Sequence, residues 1–346
     1  MITFSKALQT NDLLHIHNNN VIEFTTDVAS PKVRCIVSIG LQSLLIYPSS
    51  NGVFQFNFKD ISKVLLSNFN DNLFVNYSFT NQYIQTPNLK LAYSLSVQHL
   101  NGVTNLFNQI LTFTDSKQNK KENRLVVNPF FQSNKNVKIY KKYPFDISFY
   151  NTQIISNSLA TQLNLGANIN GRLFLSDGFN FDLNNFFVNS KLLKTDNQDL
   201  VNFEILNPNC LDGHYIKWFN RYGGWSYWLF DRGSINRSAK EIGQVNNDFD
   251  NFNTSISRSK SLGRTSRDTL TVISDVISQE YLDLLVDLID TPKIYLFTGT
   301  PNTIANVNDW LEIELKNTTM PVQNNKRDLY DITFTFDLPE NYTQTL

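Results

Sequence analysis

The sequence contains little of the chemistry on which most active sites and metal centres depend. Its 346 residues include 4 histidines and 2 cysteines, and they contain no Gly-x-Ser-x-Gly elbow, Walker-type loop or GxGxxG fingerprint. The absence of these three motifs argues against a hydrolase with a nucleophile elbow and against nucleotide binding. Cys35 and Cys210 have no metal-type spacing and are too few for a disulfide framework. We therefore expect no cofactor and no metal, and synthesis in a reducing compartment.

The chain also lacks a charge excess and any long apolar run. Its 30 Lys and Arg residues nearly balance 31 Asp and Glu residues, which argues against binding nucleic acid or an anionic membrane through bulk charge. No run approaches the ~18 apolar residues of a membrane span, and residues 1–17 lack the basic and apolar regions of a signal peptide. We expect a soluble protein without membrane insertion, made in a cytoplasm.

The scattered acid and base candidates form no recognisable catalytic set. His15 and His17 would share one face of a strand, but no Cys, Asp or Glu accompanies them at ligand spacing. Glu204, Asp212 and Asp231 flank an aromatic segment, a mixture that sugar-cleaving sites often contain, although nothing in the spacing singles them out. We predict that the protein is not an enzyme. A glycan-cleaving enzyme is the least favoured of the three functions that we consider.

Strand-forming and turn-forming residues dominate what is present. Short alternating runs, such as residues 33–39, 53–58 and 328–338, are separated by turn clusters, a pattern typical of β-sandwiches and barrels. We predict a mainly β chain with two or three sandwich- or barrel-like domains. The predicted divisions are 1–115 for an N-terminal β domain, 116–200 for a β-leaning middle region and candidate insertion, and 201–346 for a C-terminal β domain.

Two segments have helical spacing instead. Residues 60–67 predict a short helix, and residues 278–290 predict an amphipathic helix that has Ser278 as its N-cap and ends before Pro292. The predicted apolar faces are Ile61, Val64 and Leu65 in the first helix and Leu282, Leu285, Val286 and Ile289 in the second.

The most informative stretch is residues 210–232, which concentrates aromatic side chains around a Gly-Gly pair. It contains three of the four tryptophans. Apolar runs on both sides of the glycines predict a strand, a tight turn and a strand, and their alternation predicts one buried and one exposed face. The predicted structural and interface residues, with one tryptophan further along, are Tyr215, Trp218, Tyr222, Gly223, Gly224, Trp225, Tyr227, Trp228 and Trp310.

This aromatic hairpin has two interpretations. Exposed Trp and Tyr rings can stack on sugars or form an interface hot spot, whereas buried rings fill a core. No histidine, acid pair or basic groove converges on the hairpin, so a role in the core and in a subunit contact is favoured over a glycan site. Burial of Trp225 and Trp228 would argue against the glycan site.

A polar segment follows the hairpin. Residues 233–267 contain few aliphatic side chains and a basic, Ser-rich run. Such a run can contact phosphate, but the near-neutral chain and the lack of aromatics in the run favour a solvated strand edge or a mobile arm. We predict that this arm reaches a neighbouring subunit. Its candidate contact residues are Arg258, Lys260, Arg264 and Arg267.

Three features together resemble a group of tail and baseplate proteins from phages that infect Bacteroidota. The first is YIKWFNRYGGWSYWLF, which follows Cys210, and the second is SQEYLDLLVDLIDTPKIYLF. The third is a strand containing Trp310, followed by a terminal alternating strand. The resemblance covers mainly residues 201–338, and the Asn- and Ser-rich residues 153–187 depart from it.

The resemblance implies a non-enzymatic structural component of a virion, in its tail or baseplate. Its partners would be copies of itself in a symmetric ring and other tail proteins, because repeated heterologous contacts between identical subunits close into rings or polymerise. Synthesis would take place in the cytoplasm of the host bacterium. The alternative is a receptor- or carbohydrate-binding module of the same tail that uses exposed aromatics on a host surface glycan.

Overall fold

The computed structural model is mainly β, as the sequence predicts, and its described residues form several sheets and two α-helices. Its sheets form sandwich-like layers, and none closes into a barrel within the described ranges. The structure describes residues 2–8, 13–27, 33–39, 41–67, 83–85, 89–99, 102–114, 136–149, 171–176, 192–195, 198–207, 213–246, 259–274, 277–301, 307–316 and 329–340.

The first part of the chain forms two sheets over one core. Its elements are β1 (Ile2–Lys6), β2 (Leu13–His15), β3 (Val21–Thr26), β4 (Arg34–Ile39), β5 (Gln42–Ile46), β6 (Phe54–Asn57), α1 (Lys59–Ser67), β7 (Tyr83–Gln85), β8 (Leu89–His99) and β9 (Gly102–Thr114). The sheet β1-β3-β6 faces the five-stranded sheet β2-β9-β8-β4-β5, in which β2 runs parallel to β9. Phe24 and Phe54 from the first sheet and Val37 and Leu95 from the second lie in the same core.

The alternation predicted for the runs at 33–39 and 53–58 is confirmed, because every second side chain is buried. Cys35 is one of them, and burial raises the pKa of its thiol to about 11. The helix predicted at 60–67 is also present, but Val64 is 63% exposed and does not belong to its apolar face. His15 and His17 do not share a strand face, since β2 ends at His15, which is buried, and His17 is exposed beyond it.

The described residues of the middle region are mostly in strands, and some of these strands pair with distant parts of the chain. Its strands are β10 (Asn136–Tyr140), β11 (Phe145–Phe149), β12 (Gly171–Ser176), β13 (Leu192–Thr195) and β14 (Gln198–Leu206). β10 runs parallel to β14, and β13 pairs with the other side of β14. β12 lies between β11 and β7, so a strand that precedes residue 115 belongs to a sheet of the middle region.

The last part of the chain is organised around a seven-stranded sheet. Its elements are β15 (His214–Phe219), β16 (Trp225–Phe230), β17 (Arg232–Glu241), β18 (Gln244–Asn246), β19 (Ser259–Ser261), β20 (Arg264–Ile273), β21 (Ile277–Ser278), α2 (Gln279–Asp290), β22 (Ile294–Phe297), a 3-10 turn (Val307–Asp309), β23 (Trp310–Leu315), β24 (Leu329–Tyr330) and β25 (Thr333–Asp337). The strand order is β16-β15-β22-β23-β25-β20-β17. Leucines of α2 pack on one face of this sheet.

Three details of this region differ from the sequence prediction. Ser278 precedes α2, but its side chain makes no capping hydrogen bond. Leu284 and Leu288 are buried as well as Leu282 and Leu285, so the buried surface of the helix is wider than the predicted apolar face. The alternating run at 328–338 keeps its buried side but is divided into β24, which pairs with β21, and β25, which pairs with β20 and β23.

Candidate functional site: the aromatic hairpin and the exposed ribbon

The predicted aromatic hairpin is present, but its turn is longer than a Gly-Gly pair. β15 and β16 pair in continuous register from His214 with Phe230 to Phe219 with Trp225. Residues 220–224 form the loop between them, with hydrogen bonds from the Asn220 amide to the Gly224 carbonyl (2.8 Å) and from the Gly223 amide to the Asn220 carbonyl (3.1 Å). The glycines therefore complete a five-residue loop that begins at an asparagine.

Asn220 stabilises this loop from the inside. Its side-chain Oδ1 accepts hydrogen bonds from the amides of Tyr222 (3.0 Å) and Gly224 (3.1 Å), and its Nδ2 donates to the Ser226 hydroxyl (3.0 Å). The side chain is buried, so these bonds replace water for groups that would otherwise lose their partners. The short side chain of Asn can bond to nearby backbone groups, which makes it a frequent turn residue. Asn220 was not among the predicted site residues.

The two glycines of the loop are not equivalent. Gly223 has a φ of 89°, which side-chain-bearing residues rarely adopt, whereas Gly224 does not have a positive φ. We expect Gly223→Ala to lower the free energy of unfolding by about 1–2 kcal/mol through backbone strain. Gly224→Ala is the matched control and should cost less. Urea unfolding followed by tryptophan fluorescence measures both, and an equal loss for the two variants would contradict this assignment.

One face of the hairpin belongs to the core beneath α2. Ile216, Trp218, Trp228 and Phe230 alternate along the two strands and lie in the same cluster as Leu282 and the other helix leucines. Trp218 is fully buried, and the described residues offer no hydrogen-bond acceptor to its indole Nε1.

The opposite face is covered as well, by residues 143–146, which connect β10 to β11 and form the start of β11. The Tyr215 hydroxyl donates to the Pro144 carbonyl (2.9 Å), and the Tyr227 hydroxyl donates to the Asp146 carboxylate (2.8 Å). The ring of Tyr143 lies 4.7 Å from that of Tyr215, measured between centroids. The prediction of one exposed hairpin face is therefore wrong, because a segment of the middle region packs on the face that alternation assigns to solvent.

A buried lysine lies among the aromatic rings of this second face. Lys217 is 4% exposed. Its Nζ lies 3.9 Å from the ring centroid of Trp310 and 5.1 Å from that of Trp225, with Tyr295 at 5.6 Å. Cation–π attraction to several rings offsets part of the desolvation cost of an ammonium group. These rings therefore have a partner within the chain.

Burial removes the platform that a sugar would need. Trp225 is 1% exposed and Trp228 is 4% exposed. Tyr222 is buried, and Trp310, in β23, is half-buried beside Lys217. The structure thus brings the predicted aromatics together as packing residues between two layers, and neither Trp225 nor Trp228 offers a free ring face.

The predicted arm is a long antiparallel ribbon at the edge of the seven-stranded sheet. We use the name ribbon for residues 232–246 and 259–273, which contain the strands β17 and β18 and their pairing partners β20 and β19. β25 pairs with β20 only from Thr269 to Ile273. Beyond that point the described strands of the ribbon pair only with each other, over about 30 Å at ~3.3 Å per residue.

The ribbon is solvent-exposed over most of its length, although Leu270 and Val272 of β20 are buried. Every residue of β17 and β18 is exposed. Lys260 and Arg264 are exposed in β19 and β20, whereas Arg258 lies outside the described residues. Arg267 is not a free cation, because its guanidinium lies 3.3 Å from Asp337 and 3.8 Å from Glu314. At the start of the ribbon the His214 ring occupies the space that a side chain at Gly233 would need, and burial lowers the pKa of His214.

Asp337 connects the ribbon to the body of the sheet through charge. Its carboxylate lies 2.7 Å from the Lys316 ammonium and accepts a hydrogen bond from the Thr269 hydroxyl (3.3 Å). Burial alone would raise the pKa of Asp337, but the hydrogen bond and charge of Lys316, together with Arg267, keep it below the ordinary value. A lowered pKa in the folded state stabilises the fold above the ordinary aspartate pKa, and this contribution disappears as the pH falls through the folded-state value.

We expect Asp337→Asn to lower the free energy of unfolding by about 1 kcal/mol at pH 7, since solvent partly screens the pair. The loss should shrink as the pH falls below about 4, the ordinary aspartate pKa, and it should disappear below the lowered pKa of the folded state. Urea titrations at pH 7 and pH 3 test this. Glu314→Gln is the control, because Glu314 is 82% exposed and should give no measurable change. A loss that is constant with pH would contradict the charge argument.

Two of the three carboxylates predicted to flank the hairpin lie among the described residues, and both are exposed. Glu204 is exposed and accepts a hydrogen bond from the Tyr281 hydroxyl (2.7 Å), Asp231 is exposed, and Asp212 lies outside the described residues. The described residues contain no group of three or more His, Cys, Asp or Glu side chains that could bind a metal ion. Neither described helix has the length and hydropathy required to cross a membrane.

No protein-family model matches the chain, and no curated protein is similar to it by sequence.

Proposed function

We propose that the chain is a non-enzymatic structural subunit of a bacteriophage tail or baseplate. In this proposal, copies of the chain form a symmetric ring and contact other tail proteins. The observation that supports it most is the exposed ribbon.

The shape of the ribbon supports the proposal of a partner. Two-stranded antiparallel ribbons are marginally stable in water, because they bury little apolar surface and leave both outer edges unpaired. β17 nevertheless extends over ten residues, all exposed. Ile235, Ile242 and Val245 expose large apolar side chains along it, and covering them would supply the burial that the isolated ribbon lacks.

The aromatic hairpin contributes rigidity in this proposal. Its buried rings connect the seven-stranded sheet to α2 on one side and to residues 143–146 on the other. A firmly packed body allows a projecting element to meet a neighbour in a defined orientation, which lowers the entropic cost of assembly. The glycan-binding alternative depends on free rings, and those of Trp225 and Trp228 are buried.

Two measurements test the proposal. The purified chain should form a discrete symmetric oligomer in light scattering and in negative-stain electron microscopy, and antibodies against it should label the tail of the virion. The structural role would be contradicted if the chain stayed monomeric at high concentration and antibodies against it labelled no virion. Clearing of host cell walls in a zymogram would favour the glycan-cleaving alternative instead.

A further inference from the structure

The exposed apolar side chains of the chain are concentrated in two places. Nine of the twelve large apolar side chains that are exposed among the described residues lie either next to β5 or in the ribbon. The three that remain, Val64, Ile110 and Leu329, lie on separate elements. The two groups are Leu41, Leu44, Leu45 and Tyr47 around β5, and Ile235, Ile242, Val245, Leu262 and Ile273 in the ribbon.

Both places are sheet edges. β5 is the last strand of the five-stranded sheet, and β17 is the last strand of the seven-stranded sheet. Within the described ranges, no strand pairs with the outer edge of either one. An exposed edge strand with apolar side chains is a template for pairing with another chain, unless charges or prolines protect it. No charged residue and no proline occurs in β5, so nothing in this strand opposes pairing.

Charge favours a contact between the two edges over a contact between two ribbons. The strands of the ribbon contain six Lys or Arg residues and two acidic ones. Two such ribbons side by side would bring like charges together, which opposes pairing. The whole chain has a net charge of −1, so the residues outside these strands carry a net negative charge. A basic ribbon is therefore complementary to the body of another copy.

We infer that the ribbon of one copy pairs along strand β5 of the next copy. This inference rests on the proposed structural function and identifies the two surfaces that would meet. The contact is heterologous, because it joins two different surfaces of identical chains, and such contacts close into a ring or extend into a filament. Main-chain hydrogen bonds would provide the pairing, as in β-strand addition, and the apolar side chains of the two groups would become buried together.

Two variants of the full chain test the two surfaces of this contact one at a time. The ribbon variant carries Ile242→Lys and Val245→Lys, and the edge variant carries Leu45→Lys and Tyr47→Lys. All four positions are exposed, so folding should be preserved, which tryptophan fluorescence can verify. Lysine on either surface opposes strand pairing, and on β5 it also repels the basic ribbon. We expect each variant alone to associate at least roughly tenfold more weakly than the wild type, a loss of about 1.4 kcal/mol.

Mixing the two variants is the decisive experiment. The ribbon variant retains an intact β5, and the edge variant retains an intact ribbon, so an equimolar mixture should form one-to-one dimers that cannot grow further. Sedimentation velocity measures this, with Val64→Lys as a control that should assemble like the wild type. The inference would be overturned if the mixture formed no dimers, or if the edge variant formed the same oligomer as the wild type. In either case, an oligomer formed by the wild type would still support the structural role. A wild type that does not associate would contradict that role itself.

Discussion

Replacing Trp218 with alanine should lower the free energy of unfolding by about 3–5 kcal/mol, the range observed for aromatic truncations in cores. Trp218 is fully buried between the seven-stranded sheet and α2, in contact with the cluster that also contains Leu282 and Phe334. Alanine would leave a cavity surrounded by sheet and helix side chains that are already in close contact. We expect this to be the most damaging single substitution of a hairpin tryptophan.

Urea unfolding monitored by fluorescence suits this measurement, because all four tryptophans lie between residues 218 and 310. Trp218→Phe provides the comparison. It keeps an aromatic ring in the site and leaves a smaller cavity than alanine does, so it should cost less than alanine by at least ~1–2 kcal/mol. Equal losses for both variants would show that the cavity does not determine the cost.

Asn220→Ala should destabilise the chain by about 2–4 kcal/mol. The substitution removes three hydrogen bonds and leaves the amides of Tyr222 and Gly224 without their acceptor inside a buried loop. An unmet buried polar group costs about 1–3 kcal/mol. The loop would have to open toward water, which would shift the Phe219 and Trp225 pair at the end of the hairpin.

Asn236→Ala is the matched control, because Asn236 lies in β17 and is exposed. Its substitution should leave the urea midpoint unchanged within error. Near-ultraviolet circular dichroism of the Asn220 variant should also weaken, since the aromatic side chains next to the loop would lose their fixed environment. An Asn220 variant as stable as the Asn236 variant would show that the two glycines alone determine the loop.

Much of the fold is predictable because alternation and turn chemistry act locally. Phe54, Phe56 and Phe58 occupy the buried positions that their spacing predicts, because β6 has one face on the core. Gly52 adopts a φ of 75° in the turn between β5 and β6, a conformation that glycine reaches without steric cost. The hairpin at β15 and β16 is predictable for the same reason, since two apolar runs around glycines can pair without any help from distant residues.

The remaining features depend on contacts between residues far apart in sequence. The second face of the hairpin is covered by Tyr143 and Asp146, which lie about 70–80 residues upstream. No local sequence pattern predicts that these residues pack on the hairpin. The burial of Lys217 among Trp225 and Trp310 has the same origin. Asn220 could have been noticed, because an asparagine before Gly-Gly is a common turn initiator. The accessible edges of β5 and β17 follow from strand order, which local periodicity does not encode.

The parallel pairing of β10 with β14 also has a consequence for synthesis. During translation β10 emerges roughly 60 residues before its partner, which corresponds to several seconds at about 5–20 residues per second. For that interval Val137 and Ile139, both buried in the finished protein, have no strand β14 to pair with. Loop closure over such a separation is slow compared with hairpin formation. The hairpin β15–β16 leaves the ribosome only after β14, so Tyr143 and Asp146 are also synthesised several seconds before the aromatic face that they cover.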